Sequence, residues 1–560
     1  MPHKKFAWQW PAVGLLLGLG VFLAVYGPLT LDPTNDGWLL GGYIETDLLQ
    51  HYSGWLAVKN QGLGWPLTVT SGLSWPLGGA AALADCIPLL ALPFGLLRGL
   101  LPQTFQYFGL FVCAGLMLQG EAAVRLLRLF THKKVCVLAG AALLCLSPVL
   151  LERAFRHTAL SAHWLILYAL YLYFKTAHGG FAKMPVGGFI ALAALAASIH
   201  LYFVPMVLAV AFACGASVWL KTRRWQGPLA GVGGSVLAAL AVAWALGFFT
   251  VSGSEAGGYG SFGMNLNALW NPVSLDWNWW VPGCGQLTWS RLLPVRPLVA
   301  NSLESFNYLG LGLLLGGCMA AVLVAIGLLR KKISPVKLWQ WGSGHLPLAC
   351  VCVCLTLFAV SNVVTANSRT LLSLPLPAPL LALCDVFRAS GRLFWPVWYL
   401  LALAILICLA RLPGRRLAAL TLAGVLAVQL FDLSGALLQK RAWFEQMAQT
   451  PAAPALTQEE TDLLAGRTVF FSLEENADRP LAVAAARAGL ATNLSLLARG
   501  DGAALAEHIR QTRQTLLEGE APQAGLVYYT QQEALADEVC TAQPTAQKIP
   551  FYQGWLLKFP

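Results

Sequence analysis

The chain has 560 residues, of which 57% are hydrophobic and only 11% charged, and its mean hydropathy is +0.62. That leaves too little polar surface to wrap a soluble core of this size, so a water-soluble globular enzyme is excluded and the lipid bilayer becomes the main surrounding. The net charge of +11 arrives as short basic clusters between apolar windows, which is a topology signal and excludes the continuous basic stripe of a nucleic-acid-binding protein.

Lys4 and Lys5 precede an apolar run over 11–31. The run is long and no small-residue cleavage site follows it, so it is expected to remain as a first helix, not to be removed as a signal peptide. Further windows of spanning length lie at 134–151, 158–174, 310–329 and 346–360. Lipid obliges each to be helical, because unpaired backbone groups cost too much there. One threading puts all the basic clusters (4–5, 125–134, 175–183, 221–224, 330–337 and 411–416) on the cytoplasmic side. Two apolar stretches, 86–101 and 371–383, must then not cross. Both contain or are broken by proline, and they are expected as re-entrant or interfacial pieces. The expected fold is an α-helical polytopic protein of a bacterial inner membrane with about eleven transmembrane helices and a cytoplasmic amino terminus.

Carboxylates support the threading: before residue 440 only Glu121 falls near the inner side. Within a transmembrane domain over 1–439, three outer segments are long or unusual: 32–103, 251–303 and 365–392. The second is dense in aromatic and turn residues (Trp270, Asn271, Pro272, Trp277, Trp279, Trp280). Most of the 21 tryptophans fit an interfacial belt, and a minority could stack on sugar rings. The thirteen cysteines lie mostly in apolar windows and act as small hydrophobes; Cys350 to Cys354 lack His or acidic partners, so no metal is assigned there. From 440 to 560 acidic residues become frequent and apolar runs shorten. Expected strands at 468–473, 492–497, 525–529 and 554–559 alternate with helices at 480–489, 502–517 and 531–538, which makes a separate periplasmic α/β domain. It has no Gly-rich phosphate loop, so it receives no catalytic role; acceptor binding and plain stabilisation stay open.

Chemistry concentrates in four places. In the first outer loop, a helix starting near Glu45 would stack Asp47 over His51, and a carboxylate beside an imidazole at a membrane edge suits a general base. The competing reading makes Thr46 or Asp47 a helix cap. Asp85, at the far end of that loop, either caps the next helix or adds a second carboxylate. The turn 152–164 gathers Arg153, Arg156, His157 and His163 on the outer side, against the charge rule, so an anionic partner is expected: a lipid-linked phosphate, or else lipid head groups or Glu152. His200 and Tyr202 mark the next outer turn. Finally, Arg388 and Arg392 fall one helical turn apart in the run that ends at Trp395 and Pro396, a spacing that suits a phosphate or pyrophosphate. Glu304 is expected to start a spanning helix and to hold one of these arginines.

The runs Asp47-Leu-Leu-Gln-His-Tyr-Ser-Gly-Trp, Asp85-Cys-Ile-Pro-Leu-Leu-Ala, His157-Thr-Ala-Leu-Ser-Ala-His-Trp-Leu-Ile-Leu, Phe306-Asn-Tyr-Leu-Gly and Phe387-Arg-Ala-Ser-Gly-Arg-Leu-Phe-Trp-Pro resemble an uncharacterised bacterial family grouped with the GT-C glycosyltransferases. The resemblance covers most of the membrane part. It implies a GT-C-like fold, a polyprenyl-phosphate-sugar donor, an envelope glycan or lipid acceptor, and an acidic general base in the first outer loop. That role falls on Asp47, with Glu45 as its substitute and His51 as its helper. Arg153, Arg156, His157, Arg388 and Arg392 would neutralise the donor phosphate, and Asp85, His163, His200, Tyr202, Glu304 and Trp395 would complete the pocket. Only Glu45-Thr46-Asp47 hints at a paired-acid motif, so a divalent cation (Mg or Mn) stays open. The alternatives are a flippase for a lipid-linked glycan and an inactive scaffold of an envelope assembly complex.

Overall fold

The computed structural model describes residues 9–40, 47–250, 257–273, 288–299, 304–449, 456–475, 478–494, 497 and 499–560. In chain order the first half contains helices α1 (Gln9–Val25), α2 (Gly37–Leu40) and α3 (Asp47–Gln61), strands β1 (Val69–Thr70) and β2 (Gly79–Ala80), then α4 (Pro88–Leu96), α5 (Phe108–Arg128), α6 (Lys134–Cys145), α7 (Pro148–Arg153), α8 (Trp164–His178), α9 (Val186–Ile199), α10 (Phe203–Thr222) and α11 (Gln226–Ala245). The second half continues with α12 (Leu311–Leu329), α13 (Pro335–Gly344), α14 (Leu346–Val360), the hairpin β3 (Val363–Ala366) and β4 (Arg369–Ser373), α15 (Ala378–Asp385), α16 (Trp395–Ala410) and α17 (Arg415–Gln449). Last come α18 (Gln458–Leu463), β5 (Val469–Ser472), α19 (Arg479–Arg487), β6 (Ala491–Thr492), α20 (Gly502–Leu517), β7 (Leu526–Thr530), α21 (Glu533–Ala542), β8 (Gln547–Phe551) and β9 (Gly554–Lys558).

Among the described residues seven helical segments are long and apolar enough to cross a membrane, and an eighth is added if α13 and α14, bent by 72°, count as one; α1 and α9 are shorter apolar helices. Large apolar side chains stand exposed on them, among them Leu237, Leu329, Val353, Leu357 and Leu420. A surface so apolar belongs against lipid, and the helix set is that of a multi-pass membrane protein. The stretches 86–101 and 371–383 contain only short pieces: α4, the strand β4 and the start of α15.

Two compact units divide the chain. One comprises Met1–Leu31, Phe108–Leu240 and Ala256–Glu445; the other comprises Asp32–Tyr107, Ala241–Glu255 and Gln446–Pro560. In the first, α1 lies directly on α5. A Cβ at Gly14 would fall 2.6 Å from Glu121 Cα, and one at Gly18 would collide with the Leu116 carbonyl, so the Gly14-x-x-x-Gly18 spacing is what lets the two backbones touch. At the other side of this unit Asp432 of α17 accepts hydrogen bonds from the Tyr308 hydroxyl at 2.6 Å, the Leu311 amide at 3.1 Å and the Ser290 hydroxyl. Its carboxylate thus satisfies an orphan amide at the start of α12 and neutralises the dipole there. Gln429 adds a second tie, accepting from the Leu313 amide at 3.2 Å and donating to the Leu309 carbonyl at 3.0 Å.

The second unit is built on a five-stranded sheet, order β6-β5-β7-β9-β8, in which β6, β5 and β7 are parallel and β9 and β8 antiparallel. The strand expected over 492–497 pairs only at Ala491 and Thr492, because Asn493 turns aside to bond both the Ser472 amide and carbonyl at 2.8 Å. The first loop is part of the same unit. Leu73 bridges Thr492 in parallel, so the loop covers the β6 edge. The Asn60 and Gln103 side chains donate to the carbonyls of Ala486 and Arg487 at 2.5 and 2.6 Å, capping the end of α19. Residues 241–250 join through bonds from the Leu67 amide and the Thr68 hydroxyl to the carbonyls of Ala245 and Leu246. An α/β domain beginning after Gln439 is therefore not what the chain forms: α17 crosses that point unbroken to Gln449, and the sheet needs the first loop to close its edge.

The glycine contact sets a test. Gly18→Leu should destabilise the protein by about 1–3 kcal/mol or more, since overpacking here meets backbone; thermal unfolding in detergent should show a clear drop, whereas Leu16→Ala on the exposed face should change little.

Candidate functional site

In the first unit the apolar helices end in a cluster of charge. Pro148 opens α7, which runs only to Arg153 before the backbone turns extended at Ala154, leaving the Arg153 guanidinium at the end of the helix and 1% exposed. It pairs with Glu304, Nη1 lying 3.3 Å from Oε1 and Nη2 bonding Oε2. Arg392, also buried, bonds the same Oε1 from the short 3-10 turn Ser390–Phe394. Glu304 thus serves two guanidiniums at once. Gly391 makes this possible: a Cβ there would run into the Glu304 carbonyl oxygen.

Aromatic rings hold the cations in place. Arg153 lies 5.7 Å from the Trp395 ring centre and Arg392 4.8 Å from that of Tyr202. Tyr202 is fixed by its hydroxyl, which accepts from the Ala389 amide at 2.9 Å, and by its own amide, which donates to His200 Nδ1 at 3.1 Å. His163 stacks on Trp395 with centroids 4.3 Å apart and meets the Tyr399 hydroxyl through Nδ1 at 3.0 Å. His157 stands with Nδ1 3.4 Å from Arg153 Nη1. Arg156 faces the fully buried Glu152 at 3.5 Å; Glu152 also accepts from the Trp289 indole, and Lys440 lies 5.5 Å from that ring.

Burial alone would raise the Glu304 carboxyl, but the Arg153 and Arg392 guanidiniums outweigh it and hold the group well below its usual range. Sequence spacing placed Arg388 and Arg392 on one helix face. The structure does not: α15 ends at Asp385, Ala389 leaves helical geometry, and Arg388 stands exposed over the Phe262 ring at 5.8 Å. Nor does Glu304 start a helix, since α12 begins at Leu311.

In the second unit α3 begins at Asp47, which is half-buried, and His51 follows one turn later, fully buried. Asp85 stands at ion-pair distance from His51, its Oδ2 3.8 Å from Nε2. Asp85 ends the 3-10 turn Ala81–Ala84 at φ 54°, a left-handed conformation that aspartate tolerates. Glu45 lies outside the described residues, as do Trp277, Trp279 and Trp280. Beside the dyad, Asp36 accepts from the Tyr52 hydroxyl at 2.8 Å and pairs with Arg487 of α19. Sequence reasoning missed this pair, whose members give no local signal. It also missed the roles of Trp289 and Lys440. Among the described residues no three His, Cys, Asp or Glu side chains gather as a metal site.

The fold and this centre define a multi-pass helical membrane protein with a buried guanidinium–carboxylate cluster. A family model described as a domain of unknown function (DUF6311) matches residues 15–434, and the chain belongs to that family. The match leaves out all of β5–β9. No curated protein matches the chain.

Because the folded Glu304 carboxyl titrates below its ordinary value of 4.5, its stabilisation is complete above that pH and is lost as pH falls through the depressed value. Glu304→Gln should cost about 3–5 kcal/mol at neutral pH by removing the carboxylate that both buried guanidiniums bond. Melting curves in detergent should show wild type weakening below pH 4.5 while the variant loses that component of its acid sensitivity.

Proposed function

We propose that the protein is a GT-C-type membrane glycosyltransferase that moves a sugar from a polyprenyl-phosphate donor to a cell-envelope glycan or lipid on the periplasmic face of a bacterial inner membrane. One observation carries this reading: Arg153 and Arg392, buried and fixed by aromatic rings, share the single carboxylate of Glu304. A phosphate on a lipid tail reaches this centre from the apolar side without crossing water. Guanidinium forks match phosphate oxygens in the way they match a carboxylate. In the transfer step the acceptor hydroxyl loses its proton to a general base and its oxygen bonds the anomeric carbon. The bond from that carbon to the phosphate oxygen breaks, and polyprenyl phosphate departs with the electron pair. Charge growing on that phosphate is what pre-positioned guanidiniums in a dry site stabilise best. The base is assigned, by the family resemblance, to Asp47; the His51–Asp85 pair lies in the same loop.

In this reading the seven long apolar helices are joined as spans by the bent α13–α14 pair, by α1 and α9, and by α8, about eleven in all. The basic clusters lie in the cytoplasm and the sheet-bearing unit in the periplasm. A flippase would use ionisable groups inside the bundle to carry charge across. Among the described residues Glu121 is engaged by Arg125 and Tyr168, and Asp432 by Tyr308, Ser290 and the start of α12. That favours the transferase.

Complementation of a deletion strain tests it. Asp47→Asn should lower the rate of envelope-glycan modification by about 10²- to 10⁴-fold, the usual loss for an oriented base, and Arg392→Ala should weaken donor use with the protein still present in the membrane. Unchanged surface glycan in both strains would remove the assignment.

A further inference from the structure

The end of the first unit remote from Glu304 carries a second concentration of cations. α12 starts at Leu311, whose amide bonds Asp432, and its 19 residues take the chain about 28 Å along the helix axis before it turns. The turn is tightly built. Arg330, Lys331 and Lys332 follow α12 directly, Lys331 holds the left-handed backbone at φ 54°, and the amides of Lys332 and Ile333 return to the Gly327 carbonyl at 2.8 and 2.9 Å. Ile333 closes over Gly327, where a Cβ would meet its Cδ1 at 2.5 Å. The Ser334 hydroxyl then accepts from the Lys337 amide at 3.4 Å and starts α13. Arg330, Lys331, Lys332 and Lys337 are all exposed, and the chain holds no aspartate or glutamate from Ser305 to Cys384 to offset them.

Beyond the turn, α13 bends 72° away from α14. Its far end is anchored. His345, between the two helices, has Nδ1 2.9 Å from the Tyr173 hydroxyl, and its ring centre lies 4.8 Å from that of Trp341 and 5.9 Å from that of Phe181. Held in this way, α12, α13 and α14 enclose a groove of about 630 Å³ walled by Leu328, Pro335, Trp339, Gly342, Ser343 and Leu346. Its size is that of a small-molecule pocket, roughly 300–1,000 Å³, but its walls offer almost no polar group, since the Ser343 hydroxyl is taken by the Gln340 carbonyl at 3.0 Å. Hydrocarbon fits such walls. Leu328 and Pro335 bracket the basic turn in the chain and both line the groove, so the turn stands at one end of it. Around it Leu329, Trp339 and Trp341 are 82%, 77% and 60% exposed, the apolar and indole surface of a segment at the edge of a bilayer.

We propose that the elbow of α12, α13 and α14 binds one anionic glycerophospholipid, with an acyl chain in the groove and the phosphate on the basic turn. A cluster of cations at the end of an apolar groove matches the two parts of that molecule, charge against charge and hydrocarbon against hydrocarbon. A choline-headed lipid offers the same chain but brings its own cation, so the turn selects against it. A symmetric contact between two copies of the chain would bring the same patch of each together, which the like charges of the two turns oppose. Such a site requires only that these helices lie in lipid, and it is independent of the transfer reaction.

The test uses the full-length protein in phosphatidylcholine nanodiscs doped with either phosphatidylglycerol or phosphatidylcholine that carries a diazirine on one acyl chain; after illumination, labelled peptides are quantified by mass spectrometry. Photoreactive phosphatidylglycerol should mark residues 328–346 several-fold more than the exposed apolar stretch around Leu237 and Leu240 of α11, and photoreactive phosphatidylcholine should not. Arg330→Gln, Lys331→Asn and Lys332→Gln together should reduce that excess by roughly an order of magnitude, asparagine being chosen because it tolerates the left-handed turn. Gly342→Leu should do the same by filling the groove, and because a Cβ there meets nothing within 4 Å, thermal unfolding should be unchanged. Equal marking of the two regions, equal marking by the two lipids, or an excess that survives either variant would overturn the proposal. So would a wild-type dimer that Gly342→Leu converts to monomer, since it would assign the groove to a second copy.

Discussion

Two guanidiniums sharing one carboxylate, all three out of water, set the terms for the membrane-type unit. Taking three charges from water is expensive. The surroundings make up the difference with ring faces, from Trp395 to Arg153 and from Tyr202 to Arg392, and with a backbone that gives way at Gly391 so that Arg392 reaches Glu304. Many surrounding features follow from that need. The break between α6 and α7, the 3-10 turn at Ser390–Phe394 and the Tyr202–Ala389 bond each bring a charged or aromatic group to the centre.

The second unit solves a different problem. A parallel sheet with an uncovered edge invites association with other chains, and here the first loop closes that edge at Leu73 and caps the far end of α19. Asp36, Tyr52 and Arg487 tie the same loop to α19. The loop that carries Asp47, His51 and Asp85 is thus held by the sheet, so a change in the sheet has a route to those residues within one folded body.

Much of the helical part could be read from the sequence because apolar windows of spanning length leave few alternatives: 134–151, 310–329 and 346–360 all became helices. In the sheet, α20 was legible from its apolar period, and β7 from an unbroken run of apolar and aromatic residues. By contrast β8 (Gln547–Phe551) escaped because Gln547, Lys548 and Pro550 dilute its pattern, and α18 because it has only six residues. The charged centre was legible as an anomaly, arginines and Glu304 in apolar company, but its geometry was not. The spacing of Arg388 and Arg392 implies a shared face only if a helix is continuous, and Ala389 breaks it. Asp36 and Arg487 stand 451 positions apart, and nothing local marks them as partners.

Native mass spectrometry of the purified protein, with the lipid extract analysed in parallel, tests the central claim most directly. The buried guanidiniums of Arg153 and Arg392 should retain a polyprenyl monophosphate through purification, and Arg153→Gln together with Arg392→Gln should release it while zwitterionic phospholipids stay bound. Wild-type protein that carries no polyprenyl phosphate, and that takes up none when the lipid is added, would contradict the account.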